Sequence, residues 1–124
     1  MNEPTQIKGT RFNLNGTSVE TFLAAGDRLS QVLREQLGAR DVKIGCNAGD
    51  CGACTVLLDG APVCACLVPA QQAADRQVET LSGLYKSDTL IAALAESFQH
   101  NGAAQCGICT PGMMVAAVAL LRNN

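Results

Sequence analysis

The residues whose types and spacing most clearly indicate a chemical function are cysteines grouped in the middle of the chain. The first three follow the spacing C-x4-C-x2-C, and two more come shortly after them: Cys46, Cys51, Cys54, Cys64 and Cys66. This spacing is one that binds [2Fe–2S] clusters, in which four thiolates hold two irons. The sequence therefore predicts an iron–sulfur site here, with its fourth thiolate from one of the two later cysteines.

Glycines alternate with the thiols of this segment: Gly45, Gly49 and Gly52. A residue without a Cβ adopts positive φ easily and lets the backbone approach inorganic sulfur closely. Backbone N–H groups aimed at the sulfurs stabilise the negative charge of a reduced cluster and tune its potential. We expect these three glycines to shape a cluster-binding loop.

Other uses of the cysteines are less favoured. Zinc sites prefer pairs of short hooks such as C-x2-C. A disulfide framework requires an oxidising compartment, and residues 1–10 lack the pattern of a signal peptide. The total of seven cysteines is odd, which argues against complete pairing. Cys64 lies two residues before Cys66 and would share its side of a strand, so it is a rival ligand, but a packed free thiol is the favoured interpretation.

A second pair of thiols, Cys106 and Cys109, forms the motif C-G-I-C before an apolar helix. Thr110 is suited to the N-cap of that helix and Pro111 to its first position. A redox dithiol can also lie at a helix N-terminus, but no βαβ pattern surrounds this one. As part of a metal site, the pair would need two more ligands.

Composition excludes several classes of function. The 124 residues carry a formal net charge of −2 and include one Tyr, three Phe and no Trp, which argues against nucleic-acid binding. The chain has no apolar run near the ~18 residues that span a bilayer. With no export signal, a cytoplasmic location is expected, although export as part of a complex stays open.

The first half of the chain has the pattern of two β-ribbons. Asn15-Gly16 and Asp59-Gly60 predict two hairpins. The first hairpin has the returning strand Thr17–Leu23 and these expected apolar core positions: Ile7, Phe12, Leu14, Val19 and Phe22. The second has a strand at Thr55–Leu58 and a return over 61–66, and residues 77–80 are expected to add a last strand.

One helix separates the two hairpins. Its apolar residues recur at helical spacing: Leu29, Val32, Leu33 and Leu37. Asp27 is the expected N-cap and Gly38 the stop signal. Together with the hairpins and the cysteine loop, this helix predicts a small β-grasp arrangement.

From Ser82 onwards the pattern becomes helical. Ser87 or Asp88 is expected to cap a helix whose apolar positions are Leu90, Ile91, Leu94, Ala95 and Phe98. A final helix over 113–121 is apolar on nearly every side and must be covered from several directions. One preceding helix cannot do this, so more chain or a partner is expected to cover it.

Three stretches carry a resemblance to a known family: residues 45–60, 66–67 and 105–113. They resemble the small [2Fe–2S] iron–sulfur subunit of the xanthine dehydrogenase (molybdenum hydroxylase) family, over essentially the whole chain. The resemblance implies an α+β chain with an N-terminal ferredoxin-like β-grasp domain at 1–81. It implies a helical domain at 82–124, which would be half of a four-helix bundle.

The resemblance also implies roles for particular residues. The outer cluster, on the flavin side, would be held by Cys46, Cys51, Cys54 and Cys66. Half of a second, inner cluster would come from Cys106 and Cys109, and Gln105 would contact molybdopterin. The family completes the inner cluster with a later Cys-Arg-Cys motif that this sequence lacks. We therefore expect the helical domain to be truncated here or completed by another segment.

The implied function is electron transfer. Single electrons would pass from a molybdopterin site in a large partner subunit, through the clusters, to FAD in another subunit or to a different acceptor. No substrate-converting site is expected in this chain; Asp50 and His100 are interpreted as solvated residues. The alternatives are a stand-alone ferredoxin-like carrier with one cluster and a zinc-binding interaction module.

Overall fold

The computed structural model describes residues 8–24 and 26–123, so the predicted core residue Ile7 lies outside the described part. Within these ranges the elements, in chain order, are β1 Lys8–Leu14, β2 Thr17–Leu23, α1 Leu29–Glu35, β3 Thr55–Leu58, β4 Ala61–Cys64, β5 Gln77–Glu79, α2 Leu81–Ser87, α3 Thr89–His100 and α4 Thr110–Arg122. The predicted α+β class is confirmed. In the same described ranges, no helix is long and apolar enough to cross a membrane.

The strands form a mixed sheet in the order β2-β1-β5-β3-β4. Among the strands of the described ranges, β1 and β5 are parallel neighbours and the other pairs are antiparallel. Both predicted hairpin turns are present, with positive φ at Asn15 (53°), Gly16 (87°), Asp59 (50°) and Gly60 (85°). These values are those that a two-residue turn requires between twisted strands.

Strand β3 is buried on both faces of the sheet because successive side chains point to opposite sides. Val56 and Leu58 face a core that α1 covers with Leu29 and Leu33. Leu57 points the other way, into a core built by the last three helices. This second core has these buried members: Leu57, Leu84, Ile91, Met114, Val115, Val118 and Ala119. The sheet therefore lies between α1 and the helices α2–α4.

The prediction for β2 was wrong at Phe22. Its side chain is 60% exposed, whereas Thr21 and Leu23 are buried. Period-2 alternation allows only one parity to face the core, and the register that pairs Phe12 with Val19 selects odd-numbered positions in β2. Val19 is half-buried and packs against the first core, as expected.

Asp27 is not the N-cap of α1. Arg28 holds that position, and the Asp27 carboxylate instead accepts a 2.8 Å hydrogen bond from the N–H of Ala24. The carboxylate therefore closes the preceding turn.

The return strand of the second hairpin is shorter than predicted. β4 ends at Cys64, and Cys66 lies in a 3₁₀ turn, Ala65–Leu67. A 3₁₀ turn does not keep strand alternation, so the argument that Cys64 and Cys66 face one side does not hold. This turn carries Cys66 into the protein interior.

The helical part differs from the prediction in two respects and agrees with it in a third. Helix α2, Leu81–Ser87, was not predicted. The N-cap of α4 is Cys109, so Thr110 is the first helical residue and Pro111 the second. Asp88 does cap α3, accepting a hydrogen bond of 2.9 Å from the N–H of Leu90.

Helix α4 is covered on one face only. Its buried residues pack on β3 and on α2 and α3. The opposite face stays open, with Met113 51%, Leu120 64% and Leu121 43% exposed. A continuous apolar stripe of this kind is typical of a contact surface.

Candidate iron–sulfur sites

The thiol of Cys46 is surrounded by backbone donors. Its Sγ accepts hydrogen bonds from the N–H groups of Ala48 (3.3 Å), Asp50 (3.2 Å) and Cys51 (3.2 Å). The loop turns tightly enough to do this because Asn47 and Gly49 have φ of 54° and 76°. The donors lower the pKa of the Cys46 thiol to about 7, with Cys51 the largest contributor. They therefore favour the thiolate, which is the form that binds metal.

Cys51 lies directly beside Cys46. Its Sγ accepts from the N–H of Cys46 at 3.3 Å and from that of Ala53 at 3.4 Å. Both cysteines are exposed. They form one pair of thiols at the surface of the loop.

Cys54 and Cys66 form a second, buried pair. The N–H of Cys66 donates to Cys54 Sγ at 3.3 Å, and the N–H of Gly49 donates to Cys66 Sγ at 3.2 Å. Burial, reinforced by the neighbouring Cys66 and Cys64 thiols, raises the pKa of Cys54 to about 11. A bound cation would reverse this effect by neutralising the charges that burial and mutual repulsion disfavour.

Two of the predicted loop glycines are required by close contacts. A Cβ on Gly45 would lie 2.8 Å from Cys51 Sγ, and a Cβ on Gly49 would collide with the Leu67 side chain. Gly52 has φ of 75° but more space, its nearest neighbour being Thr55 Oγ1 at 3.7 Å. The backbone of the loop can therefore pack this closely only because Gly45 and Gly49 lack side chains.

The grouping of the thiols bears on which metal fits. In the part of the chain that the structure describes, no three histidine, cysteine, aspartate or glutamate side chains are placed to hold one metal ion together. Two pairs of thiols with seven N–H groups directed at them suit a two-iron cluster, in which each iron takes two thiolates. The residues present fit a [2Fe–2S] group.

The rival ligand Cys64 lies close to this site but points elsewhere. Its half-buried thiol is directed at the carbonyl oxygen of Gly49, with Sγ 4.0 Å from that oxygen. It therefore lies against the back of the loop.

The second thiol pair lies at the start of α4. Cys106 and Cys109 are both exposed, as are Gln105 and the 46% exposed Ile108 between them in sequence. Gly107 has φ of 82°, which turns the chain between the two thiols. Both thiols of the second motif are therefore accessible at the surface.

Two residues near the first loop were not found by sequence analysis. Arg28 Nη1 donates a 2.6 Å hydrogen bond to the carbonyl oxygen of Asn47, and nothing in the sequence pattern indicates this contact. Gly112 lies against Gly52, so a Cβ there would collide with the Gly52 carbonyl oxygen. Glycine is a poor helix former, and its presence in the first turn of α4 was a signal of close packing.

Comparison with known proteins agrees with this arrangement. Residues 12–83 match the 2Fe-2S iron-sulfur cluster binding domain, and residues 80–124 match a second family described as a [2Fe-2S] binding domain. The small FeS subunit of nicotinate dehydrogenase from Eubacterium barkeri is 44% identical over 90% of this chain and 71% of that protein. The xanthine dehydrogenase iron-sulfur-binding subunit of Escherichia coli O157:H7 is 42% identical over 87% of this chain and 67% of its own length.

The fold is shared with a solved oxidoreductase. Quinoline 2-oxidoreductase from Pseudomonas putida 86 superimposes with a TM-score of 0.88 and 39% identity, covering 97% of this chain and 74% of that one. The protein therefore belongs to the small [2Fe–2S] iron–sulfur subunits of the xanthine dehydrogenase, or molybdenum hydroxylase, family. It is an oxidoreductase subunit with a ferredoxin-like fold, as the sequence resemblance implied.

Proposed function

We propose that this chain is the electron-transfer subunit of a molybdenum hydroxylase complex. It passes single electrons from a molybdopterin site in a large partner subunit to FAD in another subunit or to a different acceptor. The observation that carries the proposal is the set of four thiols at the loop of Cys46, each of which accepts a hydrogen bond from a backbone N–H group. Family membership supports the same role.

The first cluster is assigned to Cys46, Cys51, Cys54 and Cys66. A [2Fe–2S] cluster supplies one-electron transfer when bound. The pairing of the thiols supports one iron on Cys46 and Cys51 and the other on Cys54 and Cys66. The N–H donors stabilise negative charge on the sulfurs and thereby raise the reduction potential.

The difference in exposure between the two thiol pairs suggests a direction of electron transfer through the first cluster. The pair at Cys46 and Cys51 is exposed, whereas Cys54 and Cys66 are buried. The segment Gly52–Ala53 between the pairs contacts α4. We therefore place the acceptor side at the exposed pair and the donor side towards the second thiol motif.

The second cluster is assigned in part. Cys106 and Cys109 supply two thiolates, and a [2Fe–2S] cluster takes four. The other two must come from a segment or partner beyond these residues. Gln105 is exposed and lies one residue before Cys106. We propose it as a contact of the molybdopterin in the partner subunit.

The exposed stripe of α4 supports an obligate partner surface. Met113, Leu120 and Leu121 lie on one helical face and expose apolar surface to water in the isolated chain. This exposure is unfavourable, so burial against a partner would stabilise the chain. A large molybdopterin-binding subunit, or a segment joined to it, is the proposed neighbour. A cytoplasmic location stays a prediction.

Two domains are proposed, with their boundary near residue 81. The connection is short, because β5 ends at Glu79 and α2 begins at Leu81. The two family matches overlap at residues 80–83. Residues 1–81 would form the ferredoxin-like domain and residues 82–124 the first half of the helical one.

The decisive measurement is iron and acid-labile sulfide per chain, with EPR of the dithionite-reduced protein. About two irons with one signal support the first cluster, and about four irons with two signals support both. Zinc without iron would overturn the proposal and favour a zinc-binding module.

The alternative is a stand-alone ferredoxin-like carrier. Such a carrier would need only the first cluster, whose four thiols are present in this chain. Isolation as a monomer with one EPR signal would favour the carrier. Co-purification with a molybdenum-containing subunit would favour the complex.

A further inference from the structure

Helix α4, which follows the second thiol motif, touches the first cluster loop through two glycines. Gly112 lies in the first turn of α4, three residues after Cys109, and is buried. Gly52 lies in the cluster loop between Cys51 and Cys54. A Cβ on Gly112 would collide with the Gly52 carbonyl oxygen and come within 3.1 Å of its carbon and 3.2 Å of the Ala53 carbonyl carbon.

The collision would be with backbone, which cannot rotate away as a side chain can. The Gly52 carbonyl is also held from its other side, because it accepts hydrogen bonds from Thr55 N–H (3.1 Å) and Thr55 Oγ1 (2.7 Å). The peptide is therefore fixed between Thr55 and Gly112.

This peptide belongs to the donor set of the loop. The next N–H along the chain, that of Ala53, donates to Cys51 Sγ at 3.4 Å. A shift of the peptide that joins Gly52 to Ala53 moves both its carbonyl and this N–H, since the peptide unit is planar. Hydrogen bonds to ligand sulfurs set cluster potentials.

We propose that Gly112 is a positioning residue for the first cluster: the first turn of α4 clamps the Gly52 peptide against Thr55. The clamp fixes the N–H that Ala53 directs at Cys51. This inference rests on the proposed function and extends it, since it makes a residue of α4 responsible for the electronic state of the first cluster.

The test is Gly112→Ala in the full chain, with its partner subunits where these co-purify. On an unconstrained helix, alanine is the better helix former and would stabilise α4. The clamp predicts the opposite: a lower unfolding temperature, together with altered g-values and a shifted midpoint potential of the first cluster. The potential and g-values are the readouts that a merely structural role would not move.

Two control variants separate the clamp from general loosening. Met114→Ala removes a buried side chain from the helix core two residues later and lowers the unfolding temperature through a cavity. Gly9→Ala adds a methyl group whose nearest neighbour is Phe22 at 3.9 Å, an ordinary contact. We expect both to keep the wild-type g-values and potential; a shift in Met114→Ala equal to that in Gly112→Ala overturns the inference.

A third variant, Cys106→Ser, removes a thiol of the second motif while leaving Gly112 in place. If it reproduces the shift seen in Gly112→Ala, the effect runs through the second site and the clamp is wrong. If wild-type protein shows no iron signal at all, the proposed function fails instead. Wild-type spectra in Gly112→Ala overturn only the clamp.

A second approach applies if Gly112→Ala does not fold. Thr55→Val removes the hydroxyl that holds the Gly52 carbonyl from the other side, and Thr55→Ser restores it. The clamp predicts shifted g-values in Thr55→Val and their return in Thr55→Ser. Identical EPR spectra in wild type, Thr55→Val and Thr55→Ser contradict the clamp.

Discussion

Arg28 and Asn47 join the start of α1 to the cluster loop. Arg28 Nη1 donates a 2.6 Å hydrogen bond to the carbonyl oxygen of Asn47, nineteen residues away. Asn47 has φ of 54°, so the guanidinium holds a left-handed peptide that follows directly after Cys46. The backbone of Arg28 is itself fixed by a bridge to Pro69. The exposed side of the loop therefore has a cationic tether anchored in the β-grasp fold.

Arg28→Met is predicted to lower the midpoint potential of the first cluster. Reduction adds negative charge, which a nearby guanidinium stabilises. We expect the midpoint potential to fall by an amount on the order of tens of millivolts. This is less than about 59 mV, which corresponds to a tenfold change in the equilibrium constant for one-electron transfer. EPR-monitored redox titration measures it. Arg11→Met, which breaks only an exposed pair with Glu20, is the control, and an equal shift there would contradict the tether.

Cys66→Ser is predicted to abolish the first cluster, and Cys64→Ser to preserve it. Cys66 Sγ accepts the Gly49 N–H and lies beside Cys54, whereas the Cys64 thiol is directed at a carbonyl oxygen. Iron content and EPR of the purified variants distinguish the two. Loss of the signal in Cys64→Ser, with retention in Cys66→Ser, would exchange the assignments.

Gly49→Ala is predicted to lose iron, and Gly60→Ala to keep it. Both glycines have positive φ, 76° and 85°, so alanine strains each by roughly 1–2 kcal/mol. Only Gly49 has a neighbour in the way, the Leu67 side chain, and its N–H donates to Cys66. Iron per chain is the measurement. Equal iron loss in both variants would show that backbone strain alone is responsible.

Two phenylalanines of the first hairpin are predicted to contribute very differently to the free energy of unfolding. Phe12 is 2% exposed and packs in the core under α1, so Phe12→Ala should cost about 3–5 kcal/mol. Phe22 is 60% exposed, so Phe22→Ala should stay within about 0.5 kcal/mol of wild type. Urea unfolding of the two variants measures this. Comparable losses of unfolding free energy in the two variants would contradict the exposed position of Phe22 in this fold.

Asp88 links the start of α3 to the end of α4 and gives a pH-dependent contribution to stability. It accepts from Leu90 N–H and pairs with Arg122 at 2.9 Å, and these contacts hold the pKa of its carboxyl below the ordinary 3.8. Because the folded pKa is below the unfolded one, the contribution is complete above the ordinary value and is lost as pH falls through the folded one.

Asp88→Ala is therefore predicted to lose about 0.5–2 kcal/mol of unfolding free energy at neutral pH, the usual worth of an N-cap. The difference from wild type should shrink below about pH 4, where the wild-type carboxylate becomes protonated. Asp88→Asn keeps the capping oxygen and should recover most of the loss. A difference that stays constant down to pH 2 would assign the loss to packing instead of charge.

The sequence determined the features that depend on neighbours along the chain. Cysteine spacing predicted the cluster loop, Asn15-Gly16 and Asp59-Gly60 predicted both hairpins, and Ser87 or Asp88 was the expected cap at the start of α3. The α+β class followed from these local patterns, and the family from the resemblance carried by residues 45–60, 66–67 and 105–113. Turn chemistry, capping and ligand spacing act over a few residues, so they can be read without knowing what packs where.

Only the tertiary structure decided which side chains meet across the fold. Leu57 belongs to a different core from its neighbours Val56 and Leu58 because helices cover the second face of the sheet. Phe22 turned outward because the pairing of β2 with β1 fixed the parity of that strand. The contact of Gly112 with Gly52 joins segments sixty residues apart. Long-range packing selects one arrangement among several that the local pattern allows, and this is why it had to be observed.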